Sequence, residues 1–437
     1  MTTHLGPTAF VGLSHLGIVS SIAWASFGRA VVAYDADSDR VEAIEQGKFP
    51  IHEPGLSELF AKTRRTLRFS SELEALSECS LVIVSLDVPT GADNTSDLEP
   101  VVSLVERIVP VLREGVVLVV MSQVPPGFTR ALSARINTLR PALSFTLYYW
   151  VETLIFGRAV ERALEPERFI VGCADPRQPL MEVFGRGLEA FKCPILPMRY
   201  ESAELTKTAI NLYLIGSVTY TNTLADLCAA VQADWEEMVP ALKLDQRIGP
   251  AAYLRPSLGI AGGNLERDLH TLKGLCDRDG VDGSYLSSLI EYNAHRYRWV
   301  LRMLREHVFH VESSPRLATW GLTYKKNTRS MKNSPALRLI SDLGWAADVT
   351  AWDPVISATE VDLPVRVLSS RDSVLDGADG LLILSDWDEF STCDLGPIRT
   401  SMRHPVVIDC VGALELRRAE LAGIRYVSMG RAVQGDQ

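Results

Sequence analysis

The sequence has no C-x-x-C pair, no long hydrophobic run and no excess of positive charge, and each absence removes a class of function. Its seven cysteines (Cys79, Cys173, Cys193, Cys228, Cys276, Cys393 and Cys410) are odd in number and scattered through 437 residues. That spacing excludes a paired-cysteine zinc site and a disulfide framework, leaving reduced and mostly buried thiols. No uninterrupted apolar stretch approaches the length of a membrane span. The opening MTTHLGPTAFVGL has no basic segment followed by a long apolar one, so no signal peptide is expected and the expected location is the cytoplasm. The formal charge of −10 argues against nucleic acid or an anionic membrane as the main partner. It still permits a local basic pocket for a phosphorylated ligand.

What is present is ordinary globular composition, with 47% hydrophobic and 22% charged residues over a length that suits two or three domains. Short β-rich runs ("TAFVGL", "AVVAYD", "SLVIVSL", "GVVLVVMS") alternate with helical patterns such as "SDLEPVVSLVERIVPVL". Strands that are apolar on both faces and separated by helices predict a parallel, doubly wound sheet. From Glu201 to Asp234 the pattern becomes one long helix with no proline. Helical segments continue to about His310, and alternation then returns in "LATWGLTY", "DVTAWDP", "GLLILSD" and "PVVIDC". The expectation is an α/β protein of two Rossmann-like domains, 1–199 and 313–437, joined by a long central helix and a helical domain at 200–312.

"FVGLSHLGIVSSIAWASFGRAVVAYD" has the layout strand, glycine turn, helix, strand, acid. Gly12 and Gly17 flank Ser14, which stands at the middle glycine position of a dinucleotide fingerprint. Such a turn presents helix N–H groups to a pyrophosphate. Asp35 ends the second strand, where a carboxylate binds ribose hydroxyls and repels a 2′-phosphate, favouring NAD over NADP. The plain alternative is a strand-turn-helix with incidental glycines.

Several stretches, in order, resemble the UDP-glucose/GDP-mannose dehydrogenase family. They are "FPIHEPGLSELF", "DVPTGADNTSDLEPV", "LEPERFIVG", "SAELTKTAINLYL", "LDQRIGPAAYLRPSLGIAGG", "TYKKNTRSMKNSPALRLI", "AWDP" and "ADGLLILSDWDEF". The resemblance covers nearly the whole chain. It implies an NAD domain, a helical dimerisation core, a nucleotide-sugar domain and a homodimer or higher homo-oligomer. It also implies a reaction in which a sugar CH2OH becomes a carboxylate, two NAD are reduced, and the carbon is carried as a cysteine thiohemiacetal and then a thioester.

Carried over residue by residue, the resemblance gives Lys207, Asn211, Asp268 and Glu152 as the catalytic group. Glu204, Lys207 and Asn211 also share one helical face by spacing, among apolar neighbours. A lysine and an amide so placed can hold a water and a developing oxyanion; the alternative is a structural polar network. The resemblance makes Gly12, Ser14, Gly17, Asp35, Arg40, Pro89, Gln123 and Lys332 the cofactor-binding set. Arg247, Tyr253, Gly262 and Lys325 become the substrate-binding set, with Arg247 reaching in from a partner subunit. Arginine and lysine both suit an anionic ligand.

The resemblance also shows what has changed. The family loop reads roughly G-x-G-G-x-C-x-P-K-D; here it is G-I-A-G-G-N-L-E-R-D, so Asn264 stands in the place of the nucleophile. An amide cannot form the thiol adduct through which an aldehyde is oxidised. Gln123 replaces a threonine, Lys332 an arginine, and "DCVGAL" lacks an Arg-Asn pair. Three readings follow: an NAD-dependent oxidoreductase of a nucleotide sugar or sugar conjugate with altered chemistry, which is favoured; a non-catalytic homologue that binds such a ligand or scaffolds a partner; and, least favoured, the full acid-forming dehydrogenase.

Overall fold

The computed structural model describes residues 6–91, 94–309, 315–344, 346–361 and 365–432. Ala92 and Asp93 of the "DVPTGADNTSDLEPV" stretch, and the boundary expected at 312–313, lie outside the described residues. The chain packs as two compact units, Met1–Ile210 and Asn211–Gln437, divided inside the long central helix.

In the first unit the elements run β1 (Thr8–Val11), α1 (His15–Ala25), β2 (Val31–Tyr34), α2 (Ser38–Glu45), α3 (Leu56–Thr63), β3 (Leu67–Ser70), β4 (Leu81–Val84) and α4 (Glu99–Ile108). They continue with β5 (Val116–Val120), α5 (Phe128–Leu139), β6 (Phe145–Trp150), α6 (Ala159–Leu164), β7 (Phe169–Cys173), α7 (Glu182–Glu189), β8 (Ile195–Arg199) and α8 (Tyr200–Val231), which runs on into the second unit. The sheet order is β3-β2-β1-β4-β5-β6-β7-β8. All pairings are parallel except β6 with β7. β1, β2, β4 and β5 are buried along their whole length, and their nearly unbroken apolar runs, all Val/Ile/Leu in β4 and β5, are what two helix-covered faces require. The order reverses between β1 and β4, opening a crevice at their C-terminal ends.

The second unit adds α9 (Trp235–Leu244), α10 (Gly263–Asp279), α11 (Ser284–His295), α12 (Arg298–His307), β9 (Arg316–Trp320), α13 (Pro335–Leu343), β10 (Asp348–Trp352) and β11 (Arg366–Val367). It ends with β12 (Gly380–Ile383), α14 (Asp388–Thr392), α15 (Gly396–Ser401), β13 (Val406–Asp409), α16 (Leu416–Leu421) and β14 (Arg425–Ser428). The order β11-β10-β9-β12-β13-β14 is wholly parallel and reverses between β9 and β12. No helix among the described residues is long and apolar enough to cross a membrane.

The two sheets share a device that the sequence reading did not detect. Gly12 after β1 and Gly321 after β9 have φ of 93° and 92°. In each case an acid ending the next strand clamps the turn. Asp35 accepts the Leu13 N–H at 2.7 Å, and Asp353 accepts those of Leu322 and Thr323 at 2.7 and 3.1 Å.

Candidate active site

The glycine turn is built by close approach. A Cβ on Gly17 would lie 1.8 Å from the carbonyl oxygen of Gly12, so only glycine lets α1 seat on the turn. Asp35 is held by Leu13 N–H, by Asp37 N–H at 3.0 Å and by Arg40 Nη1 at 3.4 Å. Gly12, Gly17, Asp35 and Arg40 thus gather at one end of the sheet, and the turn and acid fit a dinucleotide. Ser14 does not project into the crevice as a free hydroxyl. Its Oγ donates to the Ser85 carbonyl at 3.3 Å and accepts the Asp87 N–H at 2.8 Å. Pro89 and Gln123 follow the ends of β4 and β5, the first exposed and the second half-buried. Glu53, from the stretch after β2, is buried and accepts from Gly157 and Ala159 N–H and from His15. It therefore anchors the start of α6.

Along α8 the three residues spaced three and four apart take different partners. Glu204 is fully buried and accepts the N–H groups of Gly127 and Thr129, at 2.6 and 2.7 Å, at the open start of α5. Burial pushes its carboxyl above the ordinary value against those hydrogen bonds. Its role is a cap. Lys207 Nζ lies 2.7 Å from Glu152 Oε1 and 3.0 Å from the Glu152 carbonyl. Burial alone would raise the Glu152 carboxyl, but the Lys207 charge, its hydrogen bond and the Leu154 amide together hold it below the usual carboxylate value. Asn211 Nδ2 donates to Asp268 Oδ2 at 2.5 Å. The other Asp268 oxygen lies 3.4 Å from Nε of Arg267, whose side chain is itself buried.

Asp268 sits on α10, whose N-cap is Gly262 at φ 82°. A Cβ there would lie 3.0 Å from the Tyr324 ring. Asn264 is the second residue of α10 and is exposed. Two residues on, burial raises the Glu266 carboxyl, opposed by Arg338 and by Asn333 and Asn293, whose amides donate to it.

A cavity of about 1160 Å³ opens beyond the C-terminal ends of the second sheet. Tyr253 and Lys325 both line it, with Tyr324, Arg255, Arg417 and Asp386. Its size and its cations suit a phosphorylated ligand of nucleotide dimensions. Arg247 does not line it. That side chain is largely exposed and forks onto Asp245 at 2.6–3.0 Å. Lys332 is exposed on the segment leading to α13. Among the cavity residues, Arg255 and Asp386 escaped the sequence reading. The signal was there in Asp386, the acid ending the buried run "LLILSD" as Asp87 ends "LVIVSLD".

A glycine-turn sheet for a dinucleotide, a central helix carrying a buried lysine, and a second sheet with a polar nucleotide-sized cavity define the class of two-lobed, NAD-linked dehydrogenases. The models of one family cover most of the chain: the UDP-glucose/GDP-mannose dehydrogenase family NAD binding domain over residues 7–184, its central domain over 201–295 and its UDP binding domain over 318–416. The chain belongs to that family.

It is 28% identical over 432 residues to the UDP-glucose 6-dehydrogenase of Rhizobium meliloti (strain 1021), covering 96% of this chain and 98% of that protein. To the UDP-glucose 6-dehydrogenase YwqF of Bacillus subtilis (strain 168) it is 26% identical, with 96% and 97% covered. Its fold matches a UDP-glucose dehydrogenase structure from Pyrobaculum islandicum with a TM-score of 0.85 at 24% identity, over 99% of both chains.

Proposed function

We propose that this protein oxidises a CH–OH group of a nucleotide sugar or related sugar conjugate with NAD, by hydride transfer, without the cysteine-thioester route to a uronic acid. One observation carries the reading. Asn264 stands exposed on the first turn of α10, where the family resemblance puts the nucleophilic cysteine, while Lys207, Asn211 and Asp268 are kept. Bound NAD supplies the hydride acceptor. The chain's own residues handle the proton. Lys207, fixed by Glu152, offers its ammonium to the alcohol oxygen or to a water on it. Asn211, one helical turn away, is oriented by Asp268. The alcohol carbon gives its hydride to NAD, the proton on its oxygen passes to a water held by Lys207 and Asn211, and a carbonyl results. Tyr253 and Lys325 bind the nucleotide part in the second unit's cavity, and the protein works as a homodimer or higher homo-oligomer.

The test is purified protein with NAD and a panel of UDP-, TDP- and GDP-sugars. Expected are one NADH per sugar or deuterium exchange at the carbinol carbon. Two NADH per sugar with a uronate product overturns the altered chemistry.

A second reading, a homologue that binds such ligands without turning them over, is favoured by Ser14 and Gln123 as well as Asn264. Calorimetry separates the two: tight binding of a nucleotide sugar with no NADH and no exchange supports the second.

A further inference from the structure

Helix α1 begins at the crevice between β1 and β4 with its N-terminal N–H groups turned toward the place where a dinucleotide's diphosphate sits in this fold. Its N-cap, Ser14, makes no side-chain bond to its own helix. The cap comes from 73 residues away. The Asp87 carboxylate, on the segment after β4, accepts the Leu16 N–H at 3.1 Å, and the Asp87 N–H donates to Ser14 Oγ at 2.8 Å. The two residues form a reciprocal clasp across the mouth of the crevice. In the second unit the acid at the matching place, Asp386, accepts from Lys326 N–H at 3.4 Å and is neutralised by Arg255 at 3.2 Å. Among the described residues no lysine, arginine or histidine forms an ion pair with Asp87.

We propose that Asp87 is an internal anion that competes with the cofactor's diphosphate for the N-terminus of α1, and so sets this protein's affinity for NAD. A carboxylate at the first turn of a helix takes the favourable end of the dipole and one of its open donors. A diphosphate arriving there meets a donor already used and a like charge without a counter-ion. Asp87 is exposed, so it can swing aside, at the cost of the Leu16 bond and of a residual repulsion. A nucleoside without phosphate meets neither cost.

The experiment titrates wild type, Asp87→Asn and Asp87→Gly with ADP-ribose, NADH and adenosine by calorimetry. Asparagine keeps the shape and an acceptor for Leu16 N–H while removing the charge. Glycine removes both, and either folded variant carries the test. Expected is a roughly tenfold tighter ADP-ribose and NADH affinity in both variants at low salt, shrinking at about 0.5 M salt as charge is screened, with adenosine affinity unchanged. The proposal is overturned if ADP-ribose binds the variants no better than wild type. It also fails if adenosine affinity rises in step, which marks a general change in the pocket, or if none of the three proteins binds ADP-ribose.

Discussion

Lys207 and Glu152 form a single ion pair 2.7 Å long, with only 10% and 12% of their side chains exposed. Such a pair is held in a narrow balance, because burial disfavours each charge and the partner's charge is the main compensation, joined at Glu152 by the Leu154 amide. Removing one partner is therefore far more disruptive than removing both. Lys207→Met is expected to cost about 3–5 kcal/mol of stability, and Lys207→Met/Glu152→Gln much less. Urea unfolding checks this, and equal losses in the single and double variants would show that the pair is not what holds the helix here. The pH dependence has a defined sign. The Glu152 carboxyl is lowered from 4.5, so its contribution is present above that value and is lost as pH falls through the folded one. In Lys207→Met burial, the largest influence on Glu152, is opposed only by the Leu154 amide and the His15 charge, and the carboxyl should titrate above its wild-type value, visible as a 13C carboxyl shift.

Gly17 and Gly274 make opposite predictions from the same substitution. A Cβ on Gly17 would be 1.8 Å from the Gly12 carbonyl, a backbone atom, while at Gly274 nothing lies within 4 Å. Gly17→Ala is expected to cost roughly 3 kcal/mol, the upper end of overpacking, and to abolish NADH binding. Gly274→Ala, in the middle of α10, is expected to gain about 0.5–1 kcal/mol. Thermal unfolding of the two side by side decides it.

The loop 258–268 contains no cysteine, and most of the chain's thiols are buried. Cys79, Cys173, Cys228, Cys393 and Cys410 are buried, and burial raises their thiols, that of Cys79 to about 11. Only Cys193 and Cys276 are partly open. Iodoacetamide should therefore label those two first and leave sugar-dependent NADH formation intact. Loss of turnover in step with one label would assign a thiol to the chemistry.

Along α8 the side chains of Tyr213, Tyr220, Leu224, Leu227 and Val231 are exposed, from 39% to 81%. Their spacing of seven, four, three and four puts them on one face of the helix, a length of apolar surface that a lone chain rarely leaves in water. The proposed occupant is a second copy of this chain. Leu227→Lys with Val231→Lys should give monomers by light scattering, with wild type dimeric or larger. A monomeric wild type ends that reading.

How much of this was legible beforehand follows from the range of the interactions. The doubly wound sheets could be read because β1, β2, β4 and β5 are buried on both faces and so spell themselves as nearly unbroken apolar runs. That Lys207 and Asn211 would be buried was legible from helical spacing among apolar neighbours. Glu204 shared that spacing, yet its partners are the backbone N–H groups of Gly127 and Thr129, which no side-chain pattern announces. Asp87 was invisible for the same reason. It accepts an N–H of the first turn of α1, at Leu16, 71 residues earlier, and long-range capping leaves no local signature. Arg247, read as a substrate contact from a partner subunit, lies folded on Asp245 in the single chain, a state that spacing could not have foretold.

The loop at Gly262–Asp268 carries the sharpest prediction. Position 264 is exposed, in the first turn of α10, behind a glycine N-cap at φ 82°. A thiol there would sit at a helix N-terminus, which favours the thiolate, and Asn264→Cys should supply a nucleophile to a loop that otherwise lacks one. Given NAD and the aldehyde form of a turned-over nucleotide sugar, the variant is expected to add to the carbonyl. It should then lose hydride and remain attached as a hydroxylamine-sensitive thioester, seen as an intact-mass increment absent from wild type. An increment in wild type itself would mean that another residue captures the sugar, and the absence of a covalent route would have to be abandoned. A folded Asn264→Cys variant that binds the sugar yet never acquires the increment would show that the loop has lost the geometry of capture along with the sulfur.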